Sequence, residues 1–257
     1  MYDDESNPLA DGLYRALSSE SIFALNNLEP DDWQGDLLNS ASKRIAVCCS
    51  RQAGKTLTAA AIAIHFAANK PGVTVGIISP SQEQSGEILR RCIDLIEGAE
   101  LRSEILKETQ KFVQFKNKSR ILALQGSRED TVRGLSLDLL ILDEAAAISD
   151  EVFVAVSPMI AARKDARVIA LSTPKGRRGW FFLVFHDDEN GWQKIRVPAT
   201  EIPRISHEEL EMQRRVLGEI KFRQEFECDF SADGAALFSI EMLDKVFVRL
   251  GVLQHAF

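Results

Sequence analysis

A phosphate-binding loop is the clearest chemical signal in this sequence. Residues 44–56 read RIAVCCSRQAGKT, in which a short apolar run precedes a polar loop ending in Gly54, Lys55 and Thr56. Backbone N–H groups that converge at a helix start bind polyphosphate; a lysine there reaches the β and γ oxygens, and the hydroxyl coordinates Mg²⁺. We therefore predict a nucleoside triphosphate site. Its members would be Ser50, Arg51, Gln52, Ala53, Gly54, Lys55 and Thr56.

The loop departs from the GxxxxGK[ST] pattern at one position, because Cys49 stands where the first glycine is expected. A chance Ala-Gly-Lys-Thr on a surface helix would give the same local match. The loop is favoured by what surrounds it, since a β-forming apolar run comes before it and an amphipathic helical pattern follows. A second motif is needed to decide.

Residues 137–148, LDLLILDEAAAI, supply that second motif. A hydrophobic strand here ends in Asp143 and Glu144, and additional-strand P-loop NTPases place two carboxylates at such a point. One supports Mg²⁺ and the other faces the attacking water. Acids are also common at ordinary helix N-termini. Taken with the loop, the motif predicts Asp143 and Thr56 as metal ligands and Glu144 as a catalytic residue.

Strands and helices alternate along the chain in the order that builds a parallel sheet with helices on both faces. A polar turn at residues 116–119 between two short strands predicts a hairpin. The expected strands are 45–49, 73–79, 138–143, 167–172 and 193–197. The expected helices are 54–68, 81–98, 150–161, 178–186, 206–216 and 218–228.

Composition limits the class of protein. The 257 residues are 45% hydrophobic and 27% charged, which suits one sizeable α/β core. The sequence has neither a run of apolar residues long enough to span a membrane nor a basic leader, so we expect an intracellular protein that is not secreted and has no membrane partner. The four cysteines form no CxxC pair and are expected to be reduced core thiols.

The net charge of −7 is unevenly distributed, because residues 1–40 carry nine acids and one arginine. Two basic clusters in the remainder could follow a phosphate backbone, although a solvated face is the usual meaning of such clusters. The first contains Arg102, Lys107, Lys111, Lys116, Lys118, Arg120, Arg128 and Arg133. The second contains Arg163, Lys164, Arg167, Lys175, Arg177 and Arg178.

Five motifs in a fixed order resemble the ATPase domain of the large terminase subunit of tailed bacteriophages. They are SRQAGKT, ISPSQEQSGEIL, VRGLSLDLLILDEAA, LSTPKG and FRQEFECDF, and the resemblance runs from about residue 33 to 230. It implies a RecA-like, additional-strand (ASCE) P-loop NTPase fold of the α/β class, with a mostly parallel central sheet, helices on both faces and a short hairpin insertion.

The resemblance also implies roles for individual residues. Gln34 would read adenine, although a capping or surface glutamine is equally compatible. Arg51 would contact the γ-phosphate or switch to a protein partner, or else face solvent. Arg133 would be an arginine finger that acts on a neighbouring subunit. A DNA-facing or structural role for Arg133 is the alternative. Ser172 and Thr173 would couple hydrolysis to movement.

The implied organisation has three parts: an acidic lead-in at 1–32, a P-loop ATPase core at 33–231, and a linker or the start of an absent nuclease domain at 232–257. We expect no DNA cleavage, because the acids after residue 230 are few. The implied activity is Mg²⁺-dependent ATP hydrolysis that moves double-stranded DNA into a procapsid.

The cofactors would be ATP and Mg²⁺. The partners would be double-stranded DNA, the portal protein, the small terminase subunit and further copies of the chain in a ring, with a monomer expected in isolation. The site of action would be the host cytoplasm, docked on the procapsid. Two alternatives stay open: a helicase-like or DNA-remodelling ATPase, and a non-catalytic module that binds ATP or DNA.

Overall fold

The computed structural model of the chain describes residues 18–126 and 135–230. The first half contains α1 (Glu20–Leu25), α2 (Asp32–Asn39), β1 (Arg44–Cys49), α3 (Lys55–Asn69), β2 (Thr74–Ser79), α4 (Gln82–Gly98), β3 (Ile105–Glu108), β4 (Phe112–Phe115) and β5 (Arg120–Gln125). The second half contains β6 (Leu139–Asp143), α5 (Asp150–Ala161), β7 (Arg167–Ser172), α6 (Gly179–His186), β8 (Gln193–Val197), α7 (His207–Leu217) and α8 (Glu219–Phe226).

The strands form a single sheet in the order β3-β4-β5-β2-β6-β7-β1-β8. Pairing is parallel from β5 to β8, and only β3 and β4 run antiparallel to their neighbours. β7 lies between β1 and β6, so one strand separates the phosphate loop from the Asp143–Glu144 motif. The mostly parallel sheet confirms the α/β fold class that the sequence predicted.

The hairpin around residues 116–119 is confirmed, since β4 and β5 pair antiparallel. β5 also pairs in parallel with β2 from Thr74 to Ser79, so the hairpin extends the main sheet and is not set apart from it. β3 was not predicted. Its sequence, ILKE, is short and half-charged, as is usual for an edge strand that must resist pairing with other chains.

Alternating side chains of the strands pack helices onto both faces of the sheet. Ile45 and Val47 point into one cluster with α3 and α4, whereas Ala46 and Cys48 point into the other with α5 and α6. α3 is buried along most of its length because its alanines allow close approach to the sheet. The four cysteines are free and buried, as predicted.

Part of the predicted lead-in packs onto the domain. Ile22 and Phe23 on α1 are buried in the same cluster as α3. The described residues do not include 1–17 or 232–257. The division of the chain into three parts therefore stays a prediction. Among the described residues, no helix has both the length and the apolar character needed to cross a membrane.

Candidate nucleotide-binding site

The phosphate loop connects the end of β1 to the start of α3 through a tight turn. Gln52 and Gly54 adopt positive φ angles of 60° and 92°. A Cβ atom on residue 54 would lie 2.8 Å from Nε2 of Gln34. Glycine is therefore required at position 54 for both its backbone conformation and its lack of a side chain. Lys55 follows directly as the first residue of α3.

A cavity of about 900 Å³ opens at this loop. Six of the seven predicted loop residues line this cavity, together with the predicted catalytic residue Glu144 and the predicted coupling residue Thr173. The lining consists of Arg51, Gln52, Ala53, Gly54, Lys55, Thr56, Leu57, Pro80, Gln84, Arg91, Glu144, Ala147 and Thr173. Ser50 is fully buried beside the loop. The carboxyl ends of parallel strands meet at this edge, where such folds bind ligands.

Lys55 is held between the loop and the acidic motif. Its Nζ donates to the Ser50 carbonyl at 3.4 Å and lies 4.0 Å from Oε1 of Glu144. Only 10% of the lysine side chain is exposed. Both contacts are at the long end of their range and are therefore weak. The ammonium group of Lys55 can exchange them for hydrogen bonds to phosphate oxygens.

Asp143 ends β6 and is buried, whereas Glu144 is about one-third exposed at the cavity. Burial, reinforced by the charge of Glu144 and opposed by that of Lys55, raises the pKa of Asp143 to about 6. Glu144 adopts a left-handed backbone conformation with φ 51°. Such a conformation is uncommon for a residue other than glycine, and it turns the chain sharply after the strand.

The residues present fit a magnesium ion. Oδ1 of Asp143 is buried and accepts no hydrogen bond from any part of the chain that the structure describes. Within the same residues, no group of three His, Cys, Asp or Glu side chains is close enough to hold a metal. Mg²⁺ normally binds through one or two carboxylates together with substrate phosphates, so a buried carboxylate without a hydrogen-bond donor at the end of β6 suits it.

Arg51 is tied to α8. Its guanidinium donates to both carboxylate oxygens of Glu225, at 2.7 and 3.3 Å, and its backbone N–H donates to the Glu225 carbonyl at 2.9 Å. The bond to Glu225 raises the pKa of Arg51. Because Arg51 also lines the cavity, it has both a protein partner and access to a ligand.

Gln34 lies behind the loop with both ends of its amide engaged. Oε1 accepts from the Asp31 N–H at 2.9 Å, and Nε2 donates to Oγ1 of Thr58 at 2.8 Å. The side chain is buried, which corresponds to the capping role that the sequence left open. Reading of adenine by Gln34 stays a prediction, and it requires exchange of these two bonds.

The end of β7 contacts the acidic motif. Oγ of Ser172 accepts a hydrogen bond from the Ala146 N–H at 3.1 Å, and Thr173 lines the cavity. Ser172 therefore touches the backbone two residues after Glu144. Arg133, the predicted arginine finger, lies outside the described residues.

Sequence reasoning missed five residues that line the cavity: Leu57, Pro80, Gln84, Arg91 and Ala147. Pro80 and Gln84 belong to a quoted motif, ISPSQEQSGEIL, and α4 begins within it. The available signal for them was the strand that ends at Ser79, because it pairs with β6 and so ends at the same edge of the sheet as Asp143 and Glu144. Arg91 carries no such signal, since only the length of α4 brings it to the cavity.

The second basic cluster is not one patch. Arg163 and Lys164 precede β7, whereas Lys175, Arg177 and Arg178 follow it, so the strand separates the two groups by about 20 Å at roughly 3.3 Å per residue. Arg167 between them donates to the Ser40 and Ser42 carbonyls and has a structural role. The six residues therefore do not form one contiguous cluster, and DNA contact by either group stays a prediction.

The raised pKa of Asp143 predicts a pH-dependent cost to folding without ligand. A carboxyl whose pKa is raised in the folded state contributes stability below pH 4 that is lost as pH rises through about 6. We expect Asp143→Asn to match wild type near pH 4 and to be about 3 kcal/mol more stable at pH 7.5, at about 1.4 kcal/mol per pKa unit. Urea unfolding with EDTA at both pH values measures this.

Asp36→Asn on the exposed side of α2 is the matched control, and we expect it to change stability by less than about 0.5 kcal/mol at either pH. An Asp143→Asn effect of equal size at both pH values would contradict a raised pKa.

Sequence comparison places the chain among known proteins. A family profile described as "Terminase large subunit, T4likevirus-type, N-terminal" matches residues 47–245. The large terminase subunit of Thermus phage G20c is 28% identical over 271 residues, an alignment that covers 89% of this chain and 54% of that protein. The chain thus spans about half the length of this curated relative.

Structural comparison gives the same fold. The ATPase domain of the large terminase of Thermus phage P74-26 superposes with a TM-score of 0.72 at 24% identity, covering 81% of this chain and 96% of that one. A large terminase from a thermophilic bacteriophage, solved in complex with ADP, has a TM-score of 0.67 at 14% identity, with 79% and 54% covered. The family profile matches most of the length of this chain. The chain therefore belongs to the family of phage terminase large subunits and corresponds to the N-terminal part of those proteins.

Proposed function

We propose that this chain is a Mg²⁺-dependent ATPase that drives double-stranded viral DNA into a procapsid. The observation that carries the proposal is the meeting of Lys55 with Glu144 in one cavity, next to the buried carboxylate of Asp143. A lysine for phosphate, a carboxylate for metal and a carboxylate for water are the parts that phosphoryl transfer to water needs.

Each residue has a distinct task in the proposed reaction. The loop N–H groups and Lys55 bind the β and γ phosphates, and Lys55 neutralises charge that develops on them. Glu144 orients the attacking water and accepts its proton. Thr56 and Asp143 would hold Mg²⁺, which would supply positive charge to offset that of the phosphates.

ATP is the proposed nucleotide. Terminase structures similar to this chain were solved with ADP and with ATP-gamma-S, which supports binding of an adenine nucleotide here. Gln34 can donate to and accept from the adenine edge once its bonds to Asp31 and Thr58 exchange. Arg51 is proposed to leave Glu225 for the γ-phosphate, because it borders the cavity already.

The proposed coupling runs through the strand that separates the two motifs. Loss of the γ-phosphate at Glu144 would shift the backbone at Ala146, and Ser172 is bonded to that backbone. Thr173, at the cavity, would report the same change. The moving parts would act on DNA when several copies form a ring with the portal protein and small terminase subunit in the host cytoplasm.

Glu144→Gln tests the assignment of the general base. The amide keeps the size of the side chain but cannot accept the proton, so we expect kcat for ATP to fall at least about 100-fold. Affinity for ADP, measured by calorimetry, should stay at the wild-type value because Lys55 and the loop are intact. The exposed Glu189→Gln is the control and should retain full turnover. Turnover by Glu144→Gln near the wild-type rate would show that another group activates the water.

A mixing experiment tests the proposal that Arg133 acts on the neighbouring subunit. Arg133→Ala and Glu144→Gln proteins should each be inactive alone, since an arginine finger is worth about 10³–10⁵ in rate. Mixed in equal amounts, they should recover activity at about a quarter of the interfaces of a head-to-tail ring.

Lys55→Ala mixed with Glu144→Gln is the matched control, because both changes damage the same active site and a mixture supplies no intact one. Failure of the Arg133→Ala mixture to exceed this control, or full activity of Arg133→Ala alone, would refute the finger assignment.

A further inference from the structure

Arg204 contacts the phosphate loop from a segment that none of the recognised motifs contains. It lies between β8 and α7, and its Nη2 donates to the Ala53 carbonyl at 3.2 Å. The other terminal nitrogen, Nη1, forms an ion pair with Asp31, whose side chain is only 9% exposed. The planar guanidinium thus holds a loop carbonyl and a buried carboxylate at the same time, which its fork geometry allows.

The carbonyl that Arg204 holds belongs to the peptide that presents the Gly54 N–H. The described peptide bonds are all trans, so the carbonyl of Ala53 and the N–H of Gly54 point in opposite directions. Gly54 lines the cavity. Fixing the carbonyl on Arg204 therefore holds this N–H on the side of the peptide away from Arg204. Rotation of the same peptide would instead present a carbonyl oxygen, which repels phosphate.

The next peptide is fixed by a connected set of bonds. The Gly54 carbonyl accepts from both the N–H and the hydroxyl of Thr58, at 3.1 Å each. Thr58 in turn accepts from Gln34, which is bonded to the N–H of Asp31. The chain of contacts returns to Arg204 through the Asp31 ion pair. Two consecutive loop carbonyls thus accept hydrogen bonds from protein groups that belong to one closed network.

The conformational freedom of Gly54 explains why the loop needs this network. A glycine adopts φ 92° about as readily as negative φ angles, so its own sterics do not fix the peptide, and Gln52 two residues earlier is also left-handed. A loop with such freedom would lose entropy on binding phosphate unless another group held it in place beforehand. Arg204 supplies that restraint from outside the loop.

We propose that Arg204 is a positioning residue of the nucleotide site, which holds the Ala53–Gly54 peptide with its N–H facing the phosphate. The inference rests on the proposed binding of ATP and adds a residue outside the known motifs to that site. A lysine at this position would keep the charge but could not hold both acceptors with one planar group.

Binding of ADP with Mg²⁺ to Arg204→Ala, measured by isothermal calorimetry, tests the proposal. We expect Kd to rise about tenfold, the size of one lost hydrogen bond to a charged group. The Kd of Arg204→Lys should lie between those of Arg204→Ala and wild type. In steady-state assays KM for ATP should rise while kcat stays within about threefold, because the N–H binds phosphate in the ground and transition states alike. A merely structural residue would lower kcat and melting temperature together.

Arg215→Ala on the exposed side of α7 is the matched control and should bind as wild type does. If Arg204→Ala does not fold, Asp31→Asn removes the charge that holds Arg204 and should weaken binding in the same way. Affinity within about twofold of wild type in the folded variant overturns the inference. Wild-type protein that binds no ADP refutes the proposed function itself, whereas wild-type binding with unchanged variant affinity refutes only the role of Arg204.

Discussion

The site depends on the alignment of two strand ends, since β1 delivers the phosphate loop and β6 delivers Asp143 and Glu144. β7 holds them in register: Leu171 pairs with Val47 on one side and with Asp143 on the other. Asp143 therefore lies level with Val47, about 10 Å away at roughly 4.8 Å per strand. That separation leaves room for a metal and phosphates between the loop and the carboxylates. The backbone hydrogen bonds of β7 with both neighbouring strands keep this spacing.

The same alignment brings together groups that are unfavourable without ligand. Asp143 is desolvated, Glu144 has an uncommon backbone conformation, and Lys55 is buried at long distances from its partners. Each of these costs free energy that the fully buried strands offset. A nucleotide with Mg²⁺ would relieve the first and the third, because it brings a cation to Asp143 and an anion to Lys55. The Ala53–Gly54 peptide is restrained from behind by Arg204, so little reorganisation of this peptide remains for the ligand to drive.

Much of this architecture could be predicted from local sequence. Buried parallel strands are continuous apolar runs, so β1, β2, β6 and β7 were located to within about one residue. The phosphate loop and the acidic pair are also local, because each is a few consecutive residues at the end of a strand. β3 was missed because a polar edge strand has no apolar pattern. The contacts of Arg204 with Ala53 and of Arg51 with Glu225 join residues far apart in sequence, and neither spacing nor composition reveals such pairs.

ATP turnover per chain, measured with Mg²⁺ over a wide range of protein concentration, tests the central claim most directly. If the cavity is the active site of a motor completed by a neighbouring copy, turnover per chain should rise steeply with concentration and then level off as rings form. Binding of ADP without any ATP turnover across the whole range would contradict the account, because a competent ligand site would then lack the chemistry assigned to Glu144.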